Sequence, residues 1–262
     1  MHATPEVGRR SPRTLALGAW LATQGVLVTL SLALAVLGAG AGVMAALLVA
    51  RKGGGGAPQI PIVASLALAW GAGVMLAVGA ALHAIRRDKD EGIIALVRMR
   101  GGSTGRYVIG RVGGLVVVLA IAVGGATLIV SLAAASAGRA PPREVARASA
   151  AALAYSLAFA ATLGPVAMAA LGATPRIGGY LVFLAVVVVP ELTAPWTSAW
   201  LPDGWHELTS IPAALDAVRT GVESPLTSAH LARAVAGLAA VVSLCLVAVS
   251  VQAARIDREH AR

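Results

Sequence analysis

Gly101-Gly102-Ser103-Thr104-Gly105 has the G-x-S-x-G spacing that presents a nucleophilic serine on a sharp strand-to-helix turn in serine hydrolases. That chemistry needs a strand ahead of the motif, and an acid and a histidine brought up by the fold. The preceding residues, 93–100, read as helix instead, and the 30 glycines of the chain make chance matches common. Ser103 is therefore expected to cap a helix rather than to attack a carbonyl. The other reactive types are sparse. His2, His83, His206, His230 and His260 are scattered, with no two spaced to share a helical face, so no metal site is expected. The single cysteine, Cys245, sits inside an apolar run and reads as a small core residue. No G-x-x-x-x-G-K-[ST] occurs, and the glycine run after Lys52 lacks the Lys-Ser/Thr ending, so this chain cannot cradle ATP phosphates with a P-loop. No catalytic residue, cofactor or metal is expected in it.

Three polar residues in apolar surroundings remain. Glu191 follows Pro190 near the end of an apolar run; an acid within a membrane would handle protons or cations. Its place near the outer end, where water reaches, favours a structural role at a kink. Gln24 and Tyr155 either line a path or pack between helices.

The elements that must position these residues are helices in a membrane. With 58% hydrophobic residues, 13% charged residues and a mean hydropathy of +0.81, the chain is far from a soluble domain. Residues 14–50, 53–85, 112–138, 148–175 and 234–254 carry no Asp, Glu, Lys or Arg, and 177–190 is a shorter sixth run. A span needs about 20 apolar residues. The expected fold is an all-α membrane protein, one transmembrane domain over 1–262, with spans near 18–48, 60–84, 108–137, 148–172, 178–196 and 230–254. The first run exceeds a bilayer's need, so part of it is expected to lie along the interface or to tilt. It is too long for a signal-peptide core and reads as a retained span.

The net charge of +9 could point to nucleic acid, yet most cations sit at the ends of apolar runs, where membrane insertion places them. With both termini cytoplasmic, 14 of the 21 Lys and Arg fall inside and 7 outside. Segment 86–111 alone holds seven, and it sets the orientation. Glycine–proline punctuation at 52–58 and 138–144 predicts outer turns, and 172–179 a tight inner one. The outer segment 197–227, rich in Trp and Pro, is expected to form one or two short helices at the outer leaflet, with Ser210 as an N-cap and Pro212 in the first turn. Gly38/Gly42 and Gly110/Gly114 have the spacing that lets helix backbones approach.

Between spans two and three, a helix is expected over 88–100. Asp88 would cap its start with Glu91 as capping-box partner, and Gly101-Gly102 would stop it. Ile93, Ile94, Leu96, Val97 and Met99 are too many apolar groups for a solvated loop. A lipid surface would account for the cations nearby; acids beside them favour a protein partner.

This stretch resembles the corresponding segment of type-2 ABC exporter permeases, a family in which a six-span subunit pairs with a separate ATPase. There a cytoplasmic helix carries acid–Gly, an apolar stretch, a turn, and then Ser/Thr–Arg–x–x–Tyr–x–x–Gly–Lys. Here the acid–Gly is Glu91-Gly92, the apolar stretch Ile93 to Val97, and the tail Ser103, Arg106, Tyr107, Gly110 and Arg111. The turn has Gly101-Gly102 where the family often has Pro, Ser103 and Arg106 are not adjacent, and Arg111 stands where Lys is usual. The resemblance implies an export permease in the bacterial inner membrane that works with a second copy or paralogue. It also implies an ABC ATPase subunit that holds ATP and Mg and docks on Asp90, Glu91, Gly92, Ile93, Leu96, Val97 and Arg98. Gly101, Gly102, Ser103 and Tyr107 would form the turn into span three, and 86–106 the cytoplasmic coupling segment. An ion-driven secondary transporter would instead show polar mid-span residues and paired broken helices, hinted at only by Pro165 and Pro190. A membrane scaffold or intramembrane enzyme is the third class open to these residues.

Overall fold

The computed structural model describes residues 11–51, 58–137, 141–172, 176–197, 199–200, 202, 205–224 and 228–259. The expected turn around 52–57, the tip of the 138–144 turn and the centre of the 172–179 turn lie outside them. Among the described residues the chain is helical, with no strand. Six helices are long and apolar enough to cross a membrane, so the chain has the character of a multi-pass integral membrane protein. Span one is Val26–Arg51, span two 59–81, span three Thr104–Ser136, span four Pro142–Leu171, span five Ile177–Trp196 and span six Ala229–Arg258.

The first apolar run is not one span. It folds as a helix over Ser11–Ala22, then breaks at 23–25 before span one begins. Gln24 lies in this break, outside both helices, and is exposed on the protein surface. The short leading helix lies on the start of span three through close glycine contacts. A Cβ on Gly18 would stand 2.2 Å from the Gly110 carbonyl oxygen, and one on Gly114 2.2 Å from the Gly18 carbonyl carbon. The Gly110/Gly114 spacing thus marks a real backbone approach. The other pair, on span one, makes room for side chains and not for a backbone. A Cβ on Gly38 would meet Leu68 at 2.8 Å, and one on Gly42 would meet Val130 at 2.6 Å.

Span four is the centre of the bundle. Ala151, Ala152, Tyr155, Phe159, Ala160, Leu163 and Ala167 are each at most 1% exposed, and spans two, three and six all pack on it. Its small side chains permit that crowding without a polar core. Pro165 lies inside it without breaking it. In span five the helix is interrupted at Val188, between Arg176–Val187 and Val189–Thr197, just ahead of Pro190, whose ring nitrogen cannot donate.

Spans two and three each contain one π turn, at Ala69–Gly73 and Ala120–Gly124, and the two turns touch. A Cβ on Gly73 would meet Phe159 at 2.7 Å and Val123 at 3.1 Å, so the turns close on each other and on span four. Trp70, inside the first turn, donates from Nε1 to the Tyr155 hydroxyl at 2.7 Å and meets the Phe159 ring edge-on at 5.6 Å between centroids.

At one end of the bundle, between spans five and six, the segment 197–227 includes two short helices, His206–Thr209 and Ile211–Glu223, where one or two were expected. Ser210 caps the second, accepting from the Ala213 amide at 3.2 Å, with Pro212 in its first turn. This helix buries Ile211, Ala214, Leu215 and Val218 against spans four and six.

Candidate functional site

The segment resembling a coupling element lies at the opposite end. One helix over 88–100 was expected; two short helices are found, Ala84–Asp90 and Ile93–Met99. The joint is Gly92, at φ +73°, a left-handed conformation that glycine adopts without steric cost. An acid–Gly pair therefore marks a corner here, not the interior of a rod. Gly101, at φ +74°, ends the second helix as expected. Ser103 then caps span three, its Oγ accepting from the Arg106 amide at 3.3 Å. Ser103→Ala is expected to cost about 1 kcal/mol of stability, measured by denaturant unfolding in detergent.

Asp88 is not a cap. It sits near the end of the first short helix, fully buried, and its carboxylate faces Arg111 of span three, which is 1% exposed. Arg111 donates through Nε at 2.8 Å and through its terminal nitrogen at 3.3 Å, and the Tyr107 hydroxyl donates to the same carboxylate at 2.7 Å. Two charges taken out of water require this completeness, because each unpaired buried ion would cost several kcal/mol. The forked guanidinium fixes geometry as well as charge.

Backbone bonds fasten the same corner to span four. Span two ends at Leu82, and His83 takes the left-handed conformation at φ +55°, which turns the chain. Its amide donates to the Leu171 carbonyl at 3.1 Å, and the amides of Ile85 and Arg86 donate to the Gly172 carbonyl at 3.1 and 3.3 Å. Amides at the start of one helix thus satisfy carbonyls at the end of another.

A third tie reaches span six. Arg98 pairs with Asp257, and Thr104 donates to the same Asp257 oxygen at 2.6 Å while accepting from Arg98 Nε at 3.0 Å. Of the residues expected to dock a partner, Arg98 is therefore engaged within the chain. Asp90 and Glu91 are exposed, 3.9 Å from Arg86 and Arg87 respectively. Ile94 is buried, and Ile93 and Val97 are half-buried against the chain's own core. Leu96 and Met99 face away, 46% and 78% exposed. Gly102 packs on Val97, where an added Cβ would come within 2.7 Å.

Glu191, placed by the sequence near the outer end of span five, accepts from Ser210 Oγ at 2.6 Å and lies 3.6 Å from His206 Nε2. It holds the short helices between spans five and six against the end of span five. Tyr155 is buried and accepts from Trp70. Sequence reasoning missed the Asp88–Arg111–Tyr107 cluster and the Asp257 tie. The signal for the first was present: an Arg eight residues into a span-forming helix needs an anion, and Asp88 is the first acid after span two. A comparison with known families, curated proteins and solved structures finds none that matches this chain.

Proposed function

We propose that this chain is the membrane-spanning subunit of an ATP-driven exporter of the ABC type, with Ile93–Met99 as the helix that meets a separate ATPase. One observation carries the reading. A short helix between spans two and three presents Leu96 and Met99 outward, one helical turn apart, while three separate sets of bonds tie its base to spans three, four and six. An exposed apolar ridge on such a base suits a partner that pushes. The acids Asp90 and Glu91 beside it would orient that partner, and ATP and Mg would belong to it. A second copy or paralogue of the chain would complete the transport path.

The test is retention. The tagged chain is purified from its native membrane and scored for a co-purifying polypeptide with Mg-dependent ATP hydrolysis. Leu96→Asp, which places a charge in the contact, is expected to lower retained hydrolysis at least about tenfold. Met99→Asp and Glu91→Arg should act in the same direction, and all three should leave membrane insertion unchanged. Equal retention by parent and variants would overturn the docking site.

A further inference from the structure

At the end of the bundle away from the Ala84–Asp90 corner, a cavity of about 670 Å³ lies between spans two, four and six and the short helices before span six. The helix His206–Thr209 forms part of its wall and is only one turn long. So short a helix has no stability of its own, and its place is set by what it leans on. It leans on span six in two ways. Its backbone lies over Gly237, where an added Cβ would stand 3.2 Å from the Glu207 carbonyl oxygen and 3.2 Å from the Leu208 Cα. Two turns before Gly237, on the same face of span six, His230 Nδ1 meets Glu207 Oε1 at 2.5 Å.

The second contact is sensitive to a proton. The Glu207 side chain is 16% exposed, and its Oε2 is shielded with no hydrogen-bond partner among the described residues. No Lys or Arg occurs among the described residues lining the cavity. The elements around the short helix bring acids or cations already engaged. Span five brings Glu191, which accepts from Ser210 at 2.6 Å. The second short helix brings Asp216 and Glu223, both paired with Arg219. On span six, Arg233 donates from Nε to the Ala229 carbonyl at 3.4 Å, and on span four Tyr155 accepts from Trp70. His206 stands 3.6 Å from Glu191 through Nε2, but its Nδ1 is shielded and without a partner among the described residues, so a proton added there would meet no acceptor. The responsive pair is therefore Glu207 with His230, whose side chain is half-exposed. With His230 charged, the contact is an ion pair with a charge-assisted bond. With the ring neutral, a shielded carboxylate keeps its full charge in a wall that already holds Glu191 and Asp216.

We propose that Glu207 and His230 form a proton-operated clasp that fastens the short helix, as one wall of this cavity, to span six. In the fastened state the proton is held against a carboxylate, and in the released state against water, so closure and proton binding favour each other. Closure is strongest where histidine is charged and the carboxylate ionised. It weakens as pH rises past the range of about 6–7 in which histidine changes charge. It weakens again near about pH 4, where carboxylates take up protons. The inference goes beyond the docking reading and does not depend on an ATPase.

The experiment uses the full chain in neutral detergent, without any partner. A nitroxide is placed on Thr209→Cys, an exposed position of the short helix, in a Cys245→Ser background and read by electron paramagnetic resonance. In this parent, the ratio of mobile to immobile label is expected to rise at least about threefold between about pH 5.5 and about pH 8, the effect that one partly exposed ion pair supplies. His230→Gln keeps an N–H donor but cannot take up charge, and Glu207→Gln removes the acid. Each, with parent-like thermal unfolding, should lose the response. His206→Gln and, at the far end, Asp257→Asn should keep it. A ratio that does not move with pH in the parent would overturn the clasp, whatever the variants do. A parent-like response in His230→Gln or in Glu207→Gln would overturn it as well. Because no ATPase is present, such a failure would leave the docking proposal standing.

Discussion

Arg111→Ala is expected to destabilise the chain by about 3–5 kcal/mol, the usual cost of leaving one partner of a buried ion pair alone. Asp88 would keep only the Tyr107 hydroxyl, at 2.7 Å, in a place that admits no water to the carboxylate. The sign reverses for a paired replacement. Asp88→Leu with Arg111→Met removes both charges and retains most of the volume, so the double variant should recover the larger part of the loss. Unfolding of the detergent-solubilised chain by titrated denaturant compares the double variant with Asp88→Leu alone and Arg111→Met alone. If the double variant is as unstable as the two single losses added together, the pair is not acting as a charge-compensated unit.

The second large effect is steric. In Gly114→Leu, the first side-chain carbon alone would fall 2.2 Å from the Gly18 carbonyl carbon and 2.2 Å from the Ala19 nitrogen. Both are backbone atoms, so neither can rotate aside, and the Ser11–Ala22 helix must lift from span three. Overpacking of a close contact costs about 1–3 kcal/mol when the structure can adjust, and this contact has no flexible neighbour to adjust. A cysteine pair at positions 15 and 113, in a chain lacking Cys245, reports the docking directly. The Leu15 Cδ1 lies 3.7 Å from a Cβ built on Gly113. Disulfide formation should be efficient in the parent and lost in the Gly114→Leu background. Undiminished cross-linking would show that the helix docks by some other contact.

The spans were legible because a bilayer imposes one coarse requirement, a long stretch almost without charge; five runs meet it outright, and the sixth reaches the length with Glu191 near its end. Caps were legible too. Ser103 and Ser210 each act on an amide three residues ahead, so their role is written within a few positions. The break at 23–25 was not placed, although its signal is local: Thr23-Gln24-Gly25 interrupts the apolar run, and Gly25 stands at φ +125°, which glycine tolerates. Asp88 was misread for a different reason. An acid before an apolar stretch satisfies the local rule for a cap, while its actual partner stands 23 residues away on another helix. The periodicity of 93–99 showed an apolar surplus, but which residues turn inward depends on where the corner at Gly92 aims the helix. The two π turns leave no compositional trace, because Ala-Trp-Gly-Ala-Gly and Ala-Ile-Ala-Val-Gly are ordinary helix interior.

Those π turns bear on how such a chain tolerates changes of length. Each accommodates one more residue than an α turn of the same rise would, while the helix on either side keeps its facing. Removing a residue from an ordinary stretch of helix swings everything beyond it by roughly a quarter turn. Removing one from 69–73 or from 120–124 would instead convert the wide turn into a regular one, with the flanking faces still in phase. Single-codon deletions should therefore be survivable at these two levels of spans two and three and disruptive a few positions to either side.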